Sequence, residues 1–262
     1  MIFGFAGIRA RARVPSPIAE RLAPFRCDGG SPVVEFDIDP LRVRRVPFDW
    51  RPRIRGSEGA ARVSSTYLSV ELRRRGGRWR ARGRAASGLP AWDSLLRATW
   101  GWILSGRGGL LLHASGAVVD GRALIFPGVS GAGKSTLAIK AGPERMLSDD
   151  TLAVRRRAGR WEACSTPFIS RIPPTRFGVW PLRAICFPVK HSAVAAPTGP
   201  ASATARILRN VIWFSRETAP ARRIVRLAAD LAARVPAFDL GSFRSDSFDT
   251  ILARLNGLGS MV

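Results

Sequence analysis

One stretch constrains this 262-residue chain more than any other: LIFPGVSGAGKST at positions 124–136. An apolar run ends at Pro127, glycines follow at 128, 131 and 133, and Lys134, Ser135 and Thr136 lead into a helix-forming segment. Glycine, four residues, glycine, lysine and a hydroxyl residue form the pattern of a phosphate-binding loop. Glycine turns the backbone through dihedrals other residues avoid, so successive N–H groups can converge on one anion. The helix that follows adds its positive N-terminal end. The spacing therefore predicts strand, loop and helix, with Gly128, Val129, Ser130, Gly131, Ala132, Gly133, Lys134, Ser135 and Thr136 lining a nucleoside triphosphate site. In that pattern Lys134 reaches the β- and γ-phosphates and the Ser135 hydroxyl ligates magnesium. Only three of the 42 basic residues are lysines, and one stands where a guanidinium would be too bulky and wrongly shaped.

Fifteen residues beyond Lys134 stands Asp149, within Ser148-Asp149-Asp150-Thr151 between Leu147 and Leu152, which places the aspartates at a strand end or tight turn. One carboxylate can help hold magnesium while its neighbour accepts a proton from an incoming hydroxyl. Upstream, LLHASG puts His113 in an apolar strand, where a lone histidine is ordinarily a core residue.

The rest of the chain reads as α/β. Residues 1–88 form a β-rich N-terminal region: a strand over 2–14, a short helix opening at Ser16-Pro17, and strands at 32–38, 62–72 and 77–83, with an exposed loop from Pro47 to Gly59. From Leu89 the period becomes helical, up to Gly106, and residues 89–262 form the second domain. Strands at 110–119 and 122–126 turn at Asp120-Gly121, and those at 151–156 and 161–164 flank Ala158-Gly159. A buried strand at 184–189 and a loop at 195–200 precede two helices, carrying Ile207, Leu208, Val211 and Ile212, then Ile224 to Val235.

The net charge of +23 invites a nucleic-acid reading. Residues 1–110 carry 21 basic and 9 acidic side chains and the remainder 21 and 10, so the excess is spread over the sequence rather than gathered in a tail. Charge alone attracts polyanions without specifying them, and no specific nucleic acid is expected as partner. Cys27, Cys164 and Cys186 are odd in number and widely spaced, which suits a reducing cytoplasm. No apolar run approaches the ~18 residues of a membrane span, so a soluble protein is expected.

The histidine-bearing strand, GVSGAGKST and LSDD together resemble the catalytic core of the HPr kinase/phosphorylase family over about residues 108–156, and more closely its short relatives, some encoded with peptide natural-product clusters. The resemblance implies a nucleotide-binding core related to phosphoenolpyruvate carboxykinase and an ATP-dependent serine kinase. It implies ATP and Mg2+, with Lys134 on the phosphates and Ser135 on magnesium. Asp149 becomes catalytic base, Asp150 metal-side carboxylate (the two roles being exchangeable), and His113 a neighbour of the γ-phosphate. The acceptor would be a serine hydroxyl on a protein or peptide, a natural-product precursor peptide among the candidates, and an oligomer is compatible with the family. Thr136 stands where those kinases carry glutamate, and their downstream glycine-rich signature has no counterpart, so phosphorolysis, HPr as substrate and a hexamer do not carry over. The alternatives are a nucleotide-dependent switch or ATPase, which must orient water in a chain without glutamine, and a basic scaffold that merely binds nucleotide.

Overall fold

Alternation of small or apolar residues with arginine shapes the N-terminal strands in a computed structural model that describes residues 1–43, 51–172 and 176–258. Ile2–Phe5 (β1) and Ile8–Ala12 (β2) pair antiparallel. Ala6 and Gly7 both have positive φ, 50° and 77°, the geometry of a tight hairpin corner, so the single strand expected over 2–14 is two. Ser16–Leu22 (α1) buries Ile18 and Leu22, but Ser16 lies inside the helix behind Pro15 and makes no capping bond.

Five more strands complete a seven-stranded sheet: Val34–Pro40 (β3), Arg53–Ser57 (β4), Ala60–Ser65 (β5), Leu68–Arg75 (β6) and Arg78–Ala85 (β7). Their order is β1-β2-β3-β7-β6-β5-β4, with β3 parallel to both neighbours. Two expectations need correction. The strand at 62–72 breaks at Thr66-Tyr67 and returns with Ser65 opposite Leu68; the Tyr67 ring is fully buried and its hydroxyl meets Ser94 Oγ at 3.3 Å. The loop from Pro47 lies outside the described residues up to Trp50, but Arg53–Ser57 is a strand, with Ile54 buried between exposed neighbours, and it pairs with β5 at the edge of the sheet.

Leu89–Ser105 (α2) buries most of its surface. Trp100, fully enclosed, stacks on Phe5 at 4.4 Å and on Phe36 at 6.3 Å, and its indole N–H donates to the Phe5 carbonyl. That aromatic stack ties α2 to the N-terminal sheet. By contact the chain divides into residues 1–107 with 213–223, and residues 108–212 with 224–262, so the division falls after α2 rather than before it. The returning segment completes the first unit: Trp213 stacks on Trp102 at 5.7 Å, the Phe214 carbonyl accepts from Ile54 N–H, and Arg223 pairs with Glu58.

The second unit holds Gly109–Val119 (β8), Arg122–Pro127 (β9), Lys134–Ala141 (α3), Met146–Ser148 (β10), Thr151–Arg157 (β11), Arg160–Cys164 (β12), Val179–Lys190 (β13) and Ala195–Pro197 (β14). Pro200–Asn210 (α4), Thr218–Arg234 (α5, which begins in the first unit's residues), Ala237–Ser242 (β15) and Phe248–Asn256 (α6) follow. The long strands β8 and β13 are each shared. β8 pairs with β11 through its first half and with β9 through its second. β13 pairs first with β12, then in parallel with β9 and β15. Leu137 and Ala141 of α3, Phe248 and Ile251 of α6, and Leu124, Phe126 and Phe238 of the strands make one buried cluster. Part of the expected 195–200 loop is the short strand β14, and Val211 leaves α4 in an extended conformation. Burial pushes the Cys164 and Cys186 thiols up to about 12. No helix among the described residues is long and apolar enough to cross a membrane.

Candidate functional site

The site lies wholly within the second unit. β8 runs antiparallel to β9, β9 ends at Pro127, and the glycine-rich loop carries the chain into α3. Gly133 caps that helix at φ 104°, a left-handed conformation that side chains strain to adopt. Gly128 is needed for space: a Cβ there would stand 2.9 Å from Ala132 Cβ and 3.4 Å from Lys134 Cγ. Val129 and Ser130 form the exposed tip, and Thr136 is exposed on α3.

Lys134 is only 5% exposed, and its ammonium donates to the Val129 carbonyl at 2.9 Å. Burial lowers its pKa, partly offset by attraction to Asp150. Its own carbonyl accepts from the buried Ser115 hydroxyl at 2.6 Å, so β8 fixes the first residue of α3. Ser135 Oγ, one residue on, reaches the Asp149 carbonyl at 3.3 Å.

The two aspartates occupy the corner between β10 and β11, and the Ser148 hydroxyl holds that corner by accepting from Asp150 and Thr151 N–H and donating to the Thr151 carbonyl. Asp149 is 2% exposed. Its Oδ2 accepts from Ile172 N–H at 3.2 Å, while Oδ1 is buried without a hydrogen-bond partner. Burial raises this carboxyl above its ordinary value, the Ile172 N–H and, more weakly, the N–H groups of Asp149 itself and Arg171 act against the rise, and the neighbouring Asp150 charge adds to it. Asp150 is half-buried, takes the Thr151 hydroxyl at 2.7 Å, and has Oδ1 3.3 Å from His113 Nδ1. The register of β8 against β11 places His113 opposite Thr151, beside the Asp150 carbonyl at 3.1 Å. The histidine thus belongs to the acidic corner, although an apolar strand alone would assign it to the core.

Lys134, Ser135, Asp149, Asp150 and His113 are therefore brought together. Three further residues support them and were not singled out from sequence. Ser115 is signalled only by a hydroxyl in an apolar strand, two positions after His113 on the same face. Thr166 donates to the Thr151 carbonyl at 2.7 Å, and Ile172 acts through its backbone, which no side-chain pattern announces. Among the downstream arginines, Arg176 lies over the Trp180 ring, 5.9 Å from its centroid, and Arg171 is exposed.

A mixed α/β unit with an enclosed lysine after a glycine-rich loop and a buried carboxylate beside it is the class this geometry defines. A family model described as SynChlorMet cassette protein ScmC matches residues 102–252, more than half of the chain, and the chain belongs to that family. No curated protein matches it. Among solved structures, the Hpr(Ser) kinase/phosphatase from Coxiella burnetii aligns with 56% of this chain and 94% of its own at 14% identity, with a TM-score of 0.31, a distant likeness.

Proposed function

We propose that the chain is an ATP-dependent kinase with a phosphate-loop core of the HPr kinase type, transferring the γ-phosphoryl group to a serine hydroxyl on a protein or peptide, in the cytoplasm. The observation that carries the reading is Asp149 Oδ1, a buried carboxylate oxygen without a partner next to the Ser135 end of the loop. Buried polar atoms are nearly always satisfied, so an exception beside a phosphate-loop sequence suits a group kept for a substrate.

The loop N–H groups and the Lys134 ammonium bind and orient the triphosphate, and the ammonium exchanges its Val129 carbonyl for a phosphate oxygen. Asp149 takes the proton from the acceptor hydroxyl as its oxygen bonds to the γ-phosphorus and the bond to the β–γ bridging oxygen breaks, releasing ADP. A raised carboxyl pKa strengthens it as a base. His113 holds Asp150 in place. Ser135 Oγ and Asp150 would hold magnesium, which supplies neutralising charge for the phosphates. One hydroxyl and one carboxylate, with phosphate oxygens and water, form a donor set magnesium accepts.

The test is to incubate the protein with ATP, magnesium and cell extract and follow the γ-phosphate. Phosphoserine that requires Asp149 supports the reading. Free phosphate alone means a hydrolase, and intact ATP means a binder; either result overturns it.

A further inference from the structure

The first unit presents two unlike sheet faces. Along β7, Trp79, Ala81 and Ala85 are buried, while every outward position, Arg78, Arg80, Arg82 and Arg84, is arginine and exposed. Neighbouring strands continue the pavement with exposed Arg73 and Arg75 on β6, Arg62 on β5, and Arg53 and Arg55 on β4. Carboxylates on the same face are fewer than the arginines: Asp37 lies 3.3 Å from Arg82, Asp39 stands opposite Arg84 in the register of β3 against β7, and Glu35 and Glu71 are each held by two arginines. Glu35 lies 3.6 Å from Arg11 on one side and 3.6 Å from Arg80 on the other. Glu71 is held by Arg62 at 2.5 Å and Arg73 at 3.3 Å, and those hydrogen bonds keep its carboxyl below the usual range. Arg53, Arg55, Arg75, Arg78 and Arg84 have no carboxylate partner among the described residues.

We propose that this arginine-paved face docks an extended acidic segment of a partner polypeptide, its carboxylates seated between arginines of adjacent strands as Glu35 and Glu71 already are. The spacing fits. An extended peptide presents alternate side chains every ~6.8 Å, the repeat of the arginines along β7, and strands ~4.8 Å apart give each carboxylate two guanidinium neighbours. Nucleic acid would meet the same charge, but single strands bind by stacking bases on exposed aromatic rings. The aromatic side chains of β3 and β7, Phe36 and Trp79, are turned inward and 7% exposed each. This docking stands independently of the nucleotide reading of the second unit.

The full chain is titrated into a fluorescein-labelled peptide of alternating glutamate and threonine, read by anisotropy at about 0.15 M salt, where weak long-range attraction is largely screened. Arg78→Glu with Arg84→Glu should weaken binding about tenfold or more, and Arg78→Gln with Arg84→Gln by a smaller factor in the same direction. Arg157→Glu with Arg160→Glu changes net charge equally at the exposed corner between β11 and β12, and should change affinity less than about twofold. Circular dichroism checks the variants, and the glutamine pair decides if the glutamate pair misfolds. No binding by the wild-type protein, equal losses in the corner variant, or tighter binding of an oligothymidylate of equal charge through Arg78 and Arg84 would each overturn the proposal.

Discussion

Asp149→Asn should end phosphoryl transfer and at the same time make the protein more stable at neutral pH. The wild-type carboxylate is 2% exposed, with one oxygen bonded to Ile172 N–H and the other unpaired. A buried polar atom without a partner costs about 1–3 kcal/mol, and removing the negative charge relieves part of that. In the unfolded chain an aspartate titrates at about 4. Below that pH both states are protonated and the wild-type protein keeps its full stability. As pH rises the unfolded chain ionises freely while the folded carboxyl, its pKa raised by burial, resists, so stability is lost until the pH has passed the raised value. Asparagine has no such loss. The stability difference between variant and wild type should therefore open above about pH 4 and level off in the variant's favour, within the ~1–3 kcal/mol that a buried unsatisfied group costs. Carboxylates remote from Asp149 titrate alike in both proteins and cancel in the difference, and relief of the repulsion with Asp150 adds to the variant's gain in the same direction. Urea unfolding followed by circular dichroism between about pH 4 and 8 measures it. A variant less stable than wild type, or a difference that stays flat with pH, would refute the account of Asp149 as a carboxylate held against its solvation.

Lys134→Ala should abolish phosphoryl transfer and weaken nucleotide binding, measured by isothermal titration, because the only ammonium in the loop is lost; transition-state charge stabilisation of this kind is worth about 3–4 kcal/mol. Gly128→Ala should distort the loop, since its Cβ would overlap Ala132 Cβ, at a cost of about 1–3 kcal/mol that appears as lower nucleotide affinity with an unchanged far-ultraviolet spectrum. Trp100→Ala should destabilise the first unit by about 3–5 kcal/mol in chemical unfolding, through loss of the stack with Phe5 and Phe36.

The loop, the hairpin of β8 and β9 and the corner holding Asp149 and Asp150 were legible in sequence because each is written locally: glycine spacing, Asp120-Gly121, and two aspartates between apolar residues. The split at Thr66-Tyr67 was not, because Tyr67 is apolar enough to continue a strand pattern and turns only because its ring is enclosed and its hydroxyl finds Ser94. The place of α2 was hidden for a similar reason. Helical spacing reveals an apolar helix but not which sheet supplies Phe5 and Phe36 to its Trp100. In the site, Ile172 contributes a backbone N–H, and such a donor depends on the path of the chain rather than on residue type. His113 required the register between β8 and β11, a long-range pairing.

The first unit takes residues 213–223 from beyond the second unit's β8 to α4, and this has a consequence for biosynthesis. Domains generally form in the order they leave the ribosome. Here the nascent chain cannot finish its first unit when Arg107 emerges: Trp102 still lacks Trp213, and the Ile54 N–H still lacks the Phe214 carbonyl. The polypeptide must extend through residues 108–212 before that edge closes, so the second unit's loop and strands are synthesised while the first remains open. A fragment cut after Arg107 would be left permanently at that stage, with an indole face and a strand edge uncovered.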